Sequence, residues 1–247
     1  MALAFDDVGR ASAVPIVLLP AFGVPRAMWR EQQAALAVEF RVLAFDVPGL
    51  SGEPGEQPFT MARAAQSIAN AVSERVGRRA HLAGISLGGT LAVQVALDFP
   101  EHVASLMVSG GQARPGILSR LERRVAQVAP ERFLVSGFPP GLRDRYPELV
   151  LAAAEQQKRV GKRRLVAALA EYSRVDLRSR LGEIEVPALI VCGTKNRVSL
   201  RGSRALATGI PGARFEAVPG AGHVWNLEVP EVFTLMLGDF VHSAEPA

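Results

Sequence analysis

A serine enclosed by glycines is the first place in this sequence where chemistry can be read: Gly84-Ile85-Ser86-Leu87-Gly88-Gly89. The spacing is Gly-x-Ser-x-Gly. An apolar run precedes it and a helical pattern follows. A serine so placed falls on a sharp strand-to-helix turn, where flanking Cβ atoms would clash. Its hydroxyl is a candidate nucleophile, and such a hydroxyl needs a base to take its proton. Among the 4 histidines, His223 is the candidate base. It stands in Gly220-Ala221-Gly222-His223-Val224-Trp225, after the last expected strand and before the last expected helix. His81 falls inside an apolar strand, His102 follows Pro100-Glu101, and His242 lies in the tail; these three are expected to be structural or solvent-facing. Trp29 and Trp225 are candidates to line a substrate pocket, and equally candidates for core or cap packing.

The elements that must position these residues follow from the hydrophobic pattern. Residues 3–8 alternate weakly and suit an entry strand. Residues 14–19, 41–45, 80–85, 103–108, 186–192 and 213–218 are short apolar runs with turn residues after them, the pattern of strands covered on both faces. Helical spacing occupies 27–38, 59–76, 87–99, a stretch from about 203, and 231–241. Thr60 is the expected N-cap of the second of these, with Gly77 past its end. Strands alternating with helices imply an α/β fold with a mostly parallel sheet flanked by helices. Between 112 and 182 the alternation stops. Only helical periodicities remain, at 118–128, 143–160 and 162–172, with prolines between them. We read this stretch as a helical cap (112–182) inserted into an α/β core (1–111 and 183–247), lying over the carboxyl ends of the strands where open sheets of this kind bind ligands.

Composition narrows the class. The chain has 247 residues, 49% of them hydrophobic and 21% charged, enough for one sizeable core and too apolar for a disordered chain. One cysteine, Cys192, allows no internal disulfide and is expected to be a small core residue. The sequence begins with two acids at 6 and 7 and no basic segment before an apolar run, and no stretch approaches the roughly 20 apolar residues that span a bilayer. A cytoplasmic location, with no membrane partner, is the expectation. The net charge is +4, but about fifteen Lys/Arg against about seven Asp/Glu fall within 112–182, leaving the remainder net acidic. That distribution suits a solvated helical face, or a field that attracts an anionic substrate. It does not suit a nucleic-acid partner, for which stacked aromatic or basic motifs are missing. No metal-ligand spacing or dinucleotide fingerprint is present, so no cofactor and no metal are expected.

Taken together, several motifs make the chain resemble the α/β-hydrolase superfamily, of the cap-bearing esterase, lactonase and haloperoxidase-like kind, nearly end to end. They are Leu18-Leu19-Pro20-Ala21-Phe22-Gly23 with Trp29, Asp46-Val47-Pro48-Gly49, the stretch around Ser86, Val186 to Gly193, and Gly220-Ala221-Gly222-His223 followed by Glu228 and Pro230. The resemblance implies that the backbone N–H groups of Phe22 and Leu87 form an oxyanion hole, whose loss of one donor costs roughly 3–4 kcal/mol in such enzymes. Here Pro20-Ala21 stands where His-Gly is common. The resemblance also implies a triad acid after strand 186–192. This sequence reads Gly193-Thr194-Lys195-Asn196, so Asn196 takes the place of an aspartate. An asparagine can accept a hydrogen bond from the imidazole but brings no charge, and if it presents its NH₂ it selects the wrong tautomer; in a serine protease that exchange lowers turnover about ten-thousandfold. The alternative place for the acid reads Ser109-Gly110-Gly111-Gln112, without a carboxylate. Asp176 and Glu228 are the acids that could substitute. Asp46 is expected to stabilise its own turn by Asx-type bonding.

The expected function is therefore hydrolysis of a small ester or lactone through an acyl-enzyme on Ser86. His223 would move the proton and Asn196 would orient the imidazole imperfectly. The partner is a small-molecule substrate. Two other readings stay open: an acyltransferase or cyclase on the same fold, and a ligand-binding protein with a degenerate triad.

Overall fold

The structure is a computed structural model that describes residues 3–115 and 138–245. The helix expected at 118–128 lies outside these residues. Among them, seven strands form one sheet: β1 (Phe5–Val8), β2 (Pro15–Leu19), β3 (Arg41–Phe45), β4 (Ala80–Ile85), β5 (Val103–Ser109), β6 (Ala188–Gly193) and β7 (Arg214–Val218). Their order is β1-β3-β2-β4-β5-β6-β7. Only β1 runs antiparallel, against β3. Strands β2, β4 and β6 are buried along their whole length, as parallel strands covered on both faces must be. Nine helices are described: α1 (Arg30–Leu36), α2 (Met61–Arg75), α3 (Leu87–Asp98), α4 (Pro140–Arg145), α5 (Pro147–Val160), α6 (Lys162–Tyr172), α7 (Arg197–Gly209), α8 (Trp225–Glu228) and α9 (Pro230–Ala244).

Alternate residues of the strands feed two cores. One joins Val17, Leu19, Leu82 and Leu106 to α2, α3 and α7. The other joins Ile16, Leu18, Ala83 and Met107 to α1 and α9. A Leu or Ile taken wholly from water in such a core is worth about 1.5–3 kcal/mol, which is why so many short apolar strands suffice to hold the sheet. The strand order reverses between β2 and β4, so the loops after these two strands face each other across a crevice. That crevice is where open α/β sheets bind ligands. The segments carrying Phe22 and Ser86 are those two loops.

Several boundaries differ from the expectations. Residues 143–160 do not form one helix; Tyr146 takes φ −128° and ψ 56°, because a proline at 147 disfavours the helical region for the residue before it. The helix expected from 203 starts at Arg197 with Asn196 as its N-cap. The first helix is preceded by a 3-10 turn at Arg26–Trp29. Thr60 caps α2 as expected, accepting from the Arg63 N–H at 3.2 Å. Between β5 and β6 the described residues carry helices and no strand. No helix of the described residues is long and apolar enough to cross a membrane.

Candidate active site

Ser86 is the turn between β4 and α3, with φ 57° and ψ −115°. Among the described residues it is the one non-glycine with positive φ. Such a conformation costs on the order of 1–3 kcal/mol and persists only where the surroundings impose it. They do so through backbone contact. A Cβ on Gly84 would lie 2.4 Å from the Gly88 carbonyl, and one on Gly88 would lie 2.2 Å from the Leu19 oxygen. Both positions require glycine because the chain passes over itself there. The Ser86 N–H donates to the Ser109 carbonyl at 2.8 Å, which ties the elbow to the end of β5. Ser86 itself is partly exposed.

The same close packing sets the start of α3, with Leu87, against the segment that leads to Phe22. Leu87 is the first residue of α3, so its N–H has no partner inside the helix. The N-terminus of α3 abuts Leu19 and Pro20, and Phe22 follows in a turn closed by Val24 N–H to the Ala21 carbonyl, 3.2 Å. Ala21 in place of glycine is accommodated, since its φ is not positive. Helix α5 holds this loop from the other side: the Gln157 side-chain NH₂ donates to the Gly23 carbonyl at 2.8 Å.

His223 arrives on the loop after β7. This loop and the one after β6 are laced together. Thr194 N–H donates to the Val218 carbonyl at 3.0 Å and Lys195 N–H to the Ala221 carbonyl at 2.9 Å. Gly220 N–H donates to Thr194 Oγ1 at 2.9 Å. Glu228 does not reach the imidazole. Its carboxylate accepts from Gly222 N–H at 2.7 Å and so braces the residue before the histidine. Asp176 is held at the surface by Arg178 and Arg114. Each of these acids is bonded elsewhere. Two buried residues that sequence reasoning did not single out complete the support. Gln32 donates to the Asn226 carbonyl at 2.9 Å, and Asn226 donates to the Met28 carbonyl at 3.1 Å. Gln32 stands among the polar residues Arg30, Glu31 and Gln33, so its type and spacing do not mark it out.

Asn196 lies beside His223. Its amide nitrogen lies 2.7 Å from His223 Nδ1, and its amide oxygen accepts from Ser199 N–H at 3.3 Å as the N-cap of α7. Gly110 closes the third side: a Cβ there would sit 3.3 Å from the Asn196 amide nitrogen and 3.4 Å from His223 Nδ1. Gly110 follows β5 directly, so Ser86, through Ser109, and the Asn196–His223 pair converge on one strand end. Dense surroundings push the His223 pKa below its ordinary value by desolvation. His223 is nonetheless exposed to solvent, which limits that push.

Trp29 and Trp225 do not line a pocket. Both have 0% exposure and pack on Phe233, with ring centroids 5.4 and 4.6 Å away. Trp225 also donates through Nε1 to Ser109 Oγ at 2.7 Å. They are core residues that anchor the loop on either side of the site, a role their flanking glycines and helix starts did not reveal. Asp46 is also held differently from a local turn. It accepts from the backbone N–H of Arg26 at 2.7 Å and from its guanidinium at 2.6 Å, twenty positions away in sequence. Burial pushes its pKa up, against the pull of Arg26. Cys192 is buried in β6 as expected, and burial raises its thiol pKa.

Comparison with known proteins agrees with this architecture. The chain is 30% identical over 247 residues to a protein of Azorhizobium caulinodans named "Putative carbamate hydrolase RutD", covering 93% of this chain and 91% of that one. Among solved structures it is similar to a hydrolase from Pseudomonas aeruginosa PA01 (27% identity, TM-score 0.83, 97% of this chain and 94% of that chain). It is also similar to the enol-lactonase from Burkholderia xenovorans LB400 (25% identity, TM-score 0.84, 97% and 96%). A model of the alpha/beta hydrolase family matches residues 16–234. The strained serine, the glycine crossings behind it and this match over most of the chain place the protein in the alpha/beta hydrolase family, as a hydrolase of that type.

Proposed function

We propose that the protein hydrolyses a small ester or lactone through a covalent acyl-enzyme on Ser86. The observation that carries this reading is the Ser86 backbone, strained at a strand-to-helix turn beside an unsatisfied helix N-terminus. A structural serine has no reason to hold that conformation. Ser86 Oγ adds to the acyl carbon while its proton passes to His223 Nε2. The Phe22 and Leu87 N–H groups take the developing oxyanion. Collapse breaks the acyl–oxygen bond, and His223 returns the proton to the leaving oxygen. Water then repeats the sequence on the acyl-enzyme.

Residues 112–182 serve as a cap in this reading. Support comes from where the described part docks. Gln156 donates to the Leu50 carbonyl at 2.7 Å, Arg164 to the carbonyls of Gly49, Glu56 and Gln57, and Gln157 to Gly23. Thr90 Oγ1, one turn after Ser86, lies 3.2 Å from the Tyr172 hydroxyl. All these contacts fall on loops or helix starts at the carboxyl ends of the strands. The one basic residue among them, Arg164, binds backbone carbonyls and lies 3.5 Å from the Glu56 carboxylate, a structural use of its charge.

The test is a panel of p-nitrophenyl esters, alkyl esters, lactones and, given the name carried by the relatives, carbamates, assayed with wild type and Ser86→Ala. We expect at least one class to be turned over, a loss of roughly a thousandfold or more in Ser86→Ala, and an acyl adduct on Ser86 by mass spectrometry. Equal rates for the two proteins on every substrate would falsify the reading. A ligand-binding role is favoured by one observation, the absence of a carboxylate at His223 among the described residues. Tight substrate binding without any adduct would establish that role instead.

A further inference from the structure

One amide serves two masters at the site. The Asn196 oxygen accepts from Ser199 N–H, and its NH₂ faces His223 Nδ1 at 2.7 Å. An aspartate there could satisfy both neighbours, since either carboxylate oxygen accepts. An asparagine cannot. If its oxygen turned to an Nδ1–H, its NH₂ would face the Ser199 N–H, donor against donor. The conflict is settled by which neighbour can adapt. A backbone N–H only donates, whereas a neutral imidazole can carry its proton on either nitrogen. The helix cap therefore dictates the amide orientation, and the histidine follows.

We propose that Asn196, held by its capping bond to Ser199, locks His223 as the Nε2–H tautomer, and that release from this lock limits the rate of acyl transfer. This rests on the hydrolase reading only for its second half. The consequence for proton flow is direct. Attack by Ser86 Oγ must deliver a proton to Nε2. In the locked tautomer that nitrogen has no free lone pair, and the lone pair on Nδ1 is taken by the Asn196 N–H. Before attack the proton must leave Nε2 and return to Nδ1, and the amide must then turn and surrender the cap. No charge at 196 offsets the imidazolium formed during attack. Among the described residues the surroundings supply none either: Glu228, at the end of α8, is spent on Gly222 N–H.

Three measurements decide this. The first is the ¹⁵N NMR spectrum of the histidine-labelled full chain at neutral pH, with His223 assigned by its loss in His223→Gln. We expect the proton on Nε2 and a bare Nδ1. A proton on Nδ1 overturns the lock whatever the activity, because this readout needs no turnover. The second is Asn196→Asp, expected to move the proton to Nδ1 and raise kcat by roughly 10²–10⁴-fold. It should also shift the acid limb of the pH–kcat/KM profile upward, since a carboxylate favours the imidazolium. A changed tautomer with no gain in kcat overturns the limiting role. The third is Ser199→Pro, which deletes the capping N–H in the first helical turn, where proline is best tolerated. It is expected to raise kcat severalfold beside Asn196 and to leave the Asn196→Asp protein unchanged. An equal gain in both backgrounds overturns the proposal. If instead Ser86→Ala matches wild type on all substrates, the hydrolase reading fails while the tautomer result stands.

Discussion

The two halves of the site share close backbone packing and differ in how much side chains add to it. The elbow half, β4 to α3 with the loop after β2, is held by backbone against backbone, with Gly84, Gly88 and Leu19 in contact at distances that admit no Cβ. The histidine half, the loops after β6 and β7, also packs backbone on backbone, Gly193 against Gly222, and adds side-chain bonds from Thr194, Glu228, Asn196, and Trp225 through Ser109. Backbone packing leaves no intermediate state between formed and broken. Side-chain bracing can lose one member and keep the rest. Asn196, at the position where the resemblance implies an acid, lies in the second half, where losing one side-chain bond leaves the others in place.

The contrast can be broken most sharply at Gly88. Gly88→Ala forces a methyl group onto the Leu19 carbonyl, and we expect a stability loss of about 3 kcal/mol or more, or no soluble protein, by chemical denaturation. A fully stable and active variant would show that the elbow has slack. On the histidine side, Glu228→Ala removes a charge-assisted bond to Gly222 N–H, worth about 1.5–3 kcal/mol. Activity should fall roughly tenfold with the circular dichroism spectrum intact, and Glu228→Gln, which keeps an acceptor, should recover most of it. Trp225→Phe deletes one buried hydrogen bond and leaves Ser109 Oγ without that donor. A loss of about 1–2 kcal/mol is expected, with KM unmoved because Trp225 touches no pocket; a large change in KM would return it to the binding surface. The smallest effect belongs to Gln157→Ala, whose bond to Gly23 steadies the loop that carries the proposed Phe22 donor: a severalfold decrease in kcat and a loss of about 1 kcal/mol of stability are expected.

The pH dependence has a definite sign. Desolvation lowers the His223 pKa in the folded chain, so between that value and the unfolded value near 6.5 the unfolded state binds more protons. This group therefore favours folding above about pH 6.5 and loses that contribution as pH falls through the window. The acid limb of kcat/KM in the wild type should correspondingly lie below 6.5, measured on whichever ester proves a substrate.

Much of the elbow half was legible before any coordinates. The apolar run 80–85, the glycines around Ser86 and the helical spacing after it reflect local requirements, so β4 falls on the expected residues and α3 within one of them. The Thr60 cap was equally visible. The histidine half was less so. Residues 197–202 look polar and irregular by periodicity, and α7 was expected to begin at 203. Its true start is set by Asn196 acting as a cap, a role hidden behind the expectation of a triad acid. For Trp29 and Trp225 the sequence leaves pocket and core packing equally open. Only their packing on Phe233 assigns them to the core. The Tyr146–Pro147 break was available from the proline alone and was passed over in favour of continuous spacing.

What the sequence by itself determined is chemical identity: a serine between glycines, a histidine on a late loop, and an amide where a carboxylate is usual. These are composition at fixed positions and need no fold to be stated. What only the tertiary structure decided is which end of that amide meets the histidine. An asparagine side chain has one donor end and one acceptor end of nearly the same shape, and nothing local to 196 chooses between them. The choice follows from Ser199 N–H on one side and His223 Nδ1 on the other, brought together by β6, β7 and the start of α7.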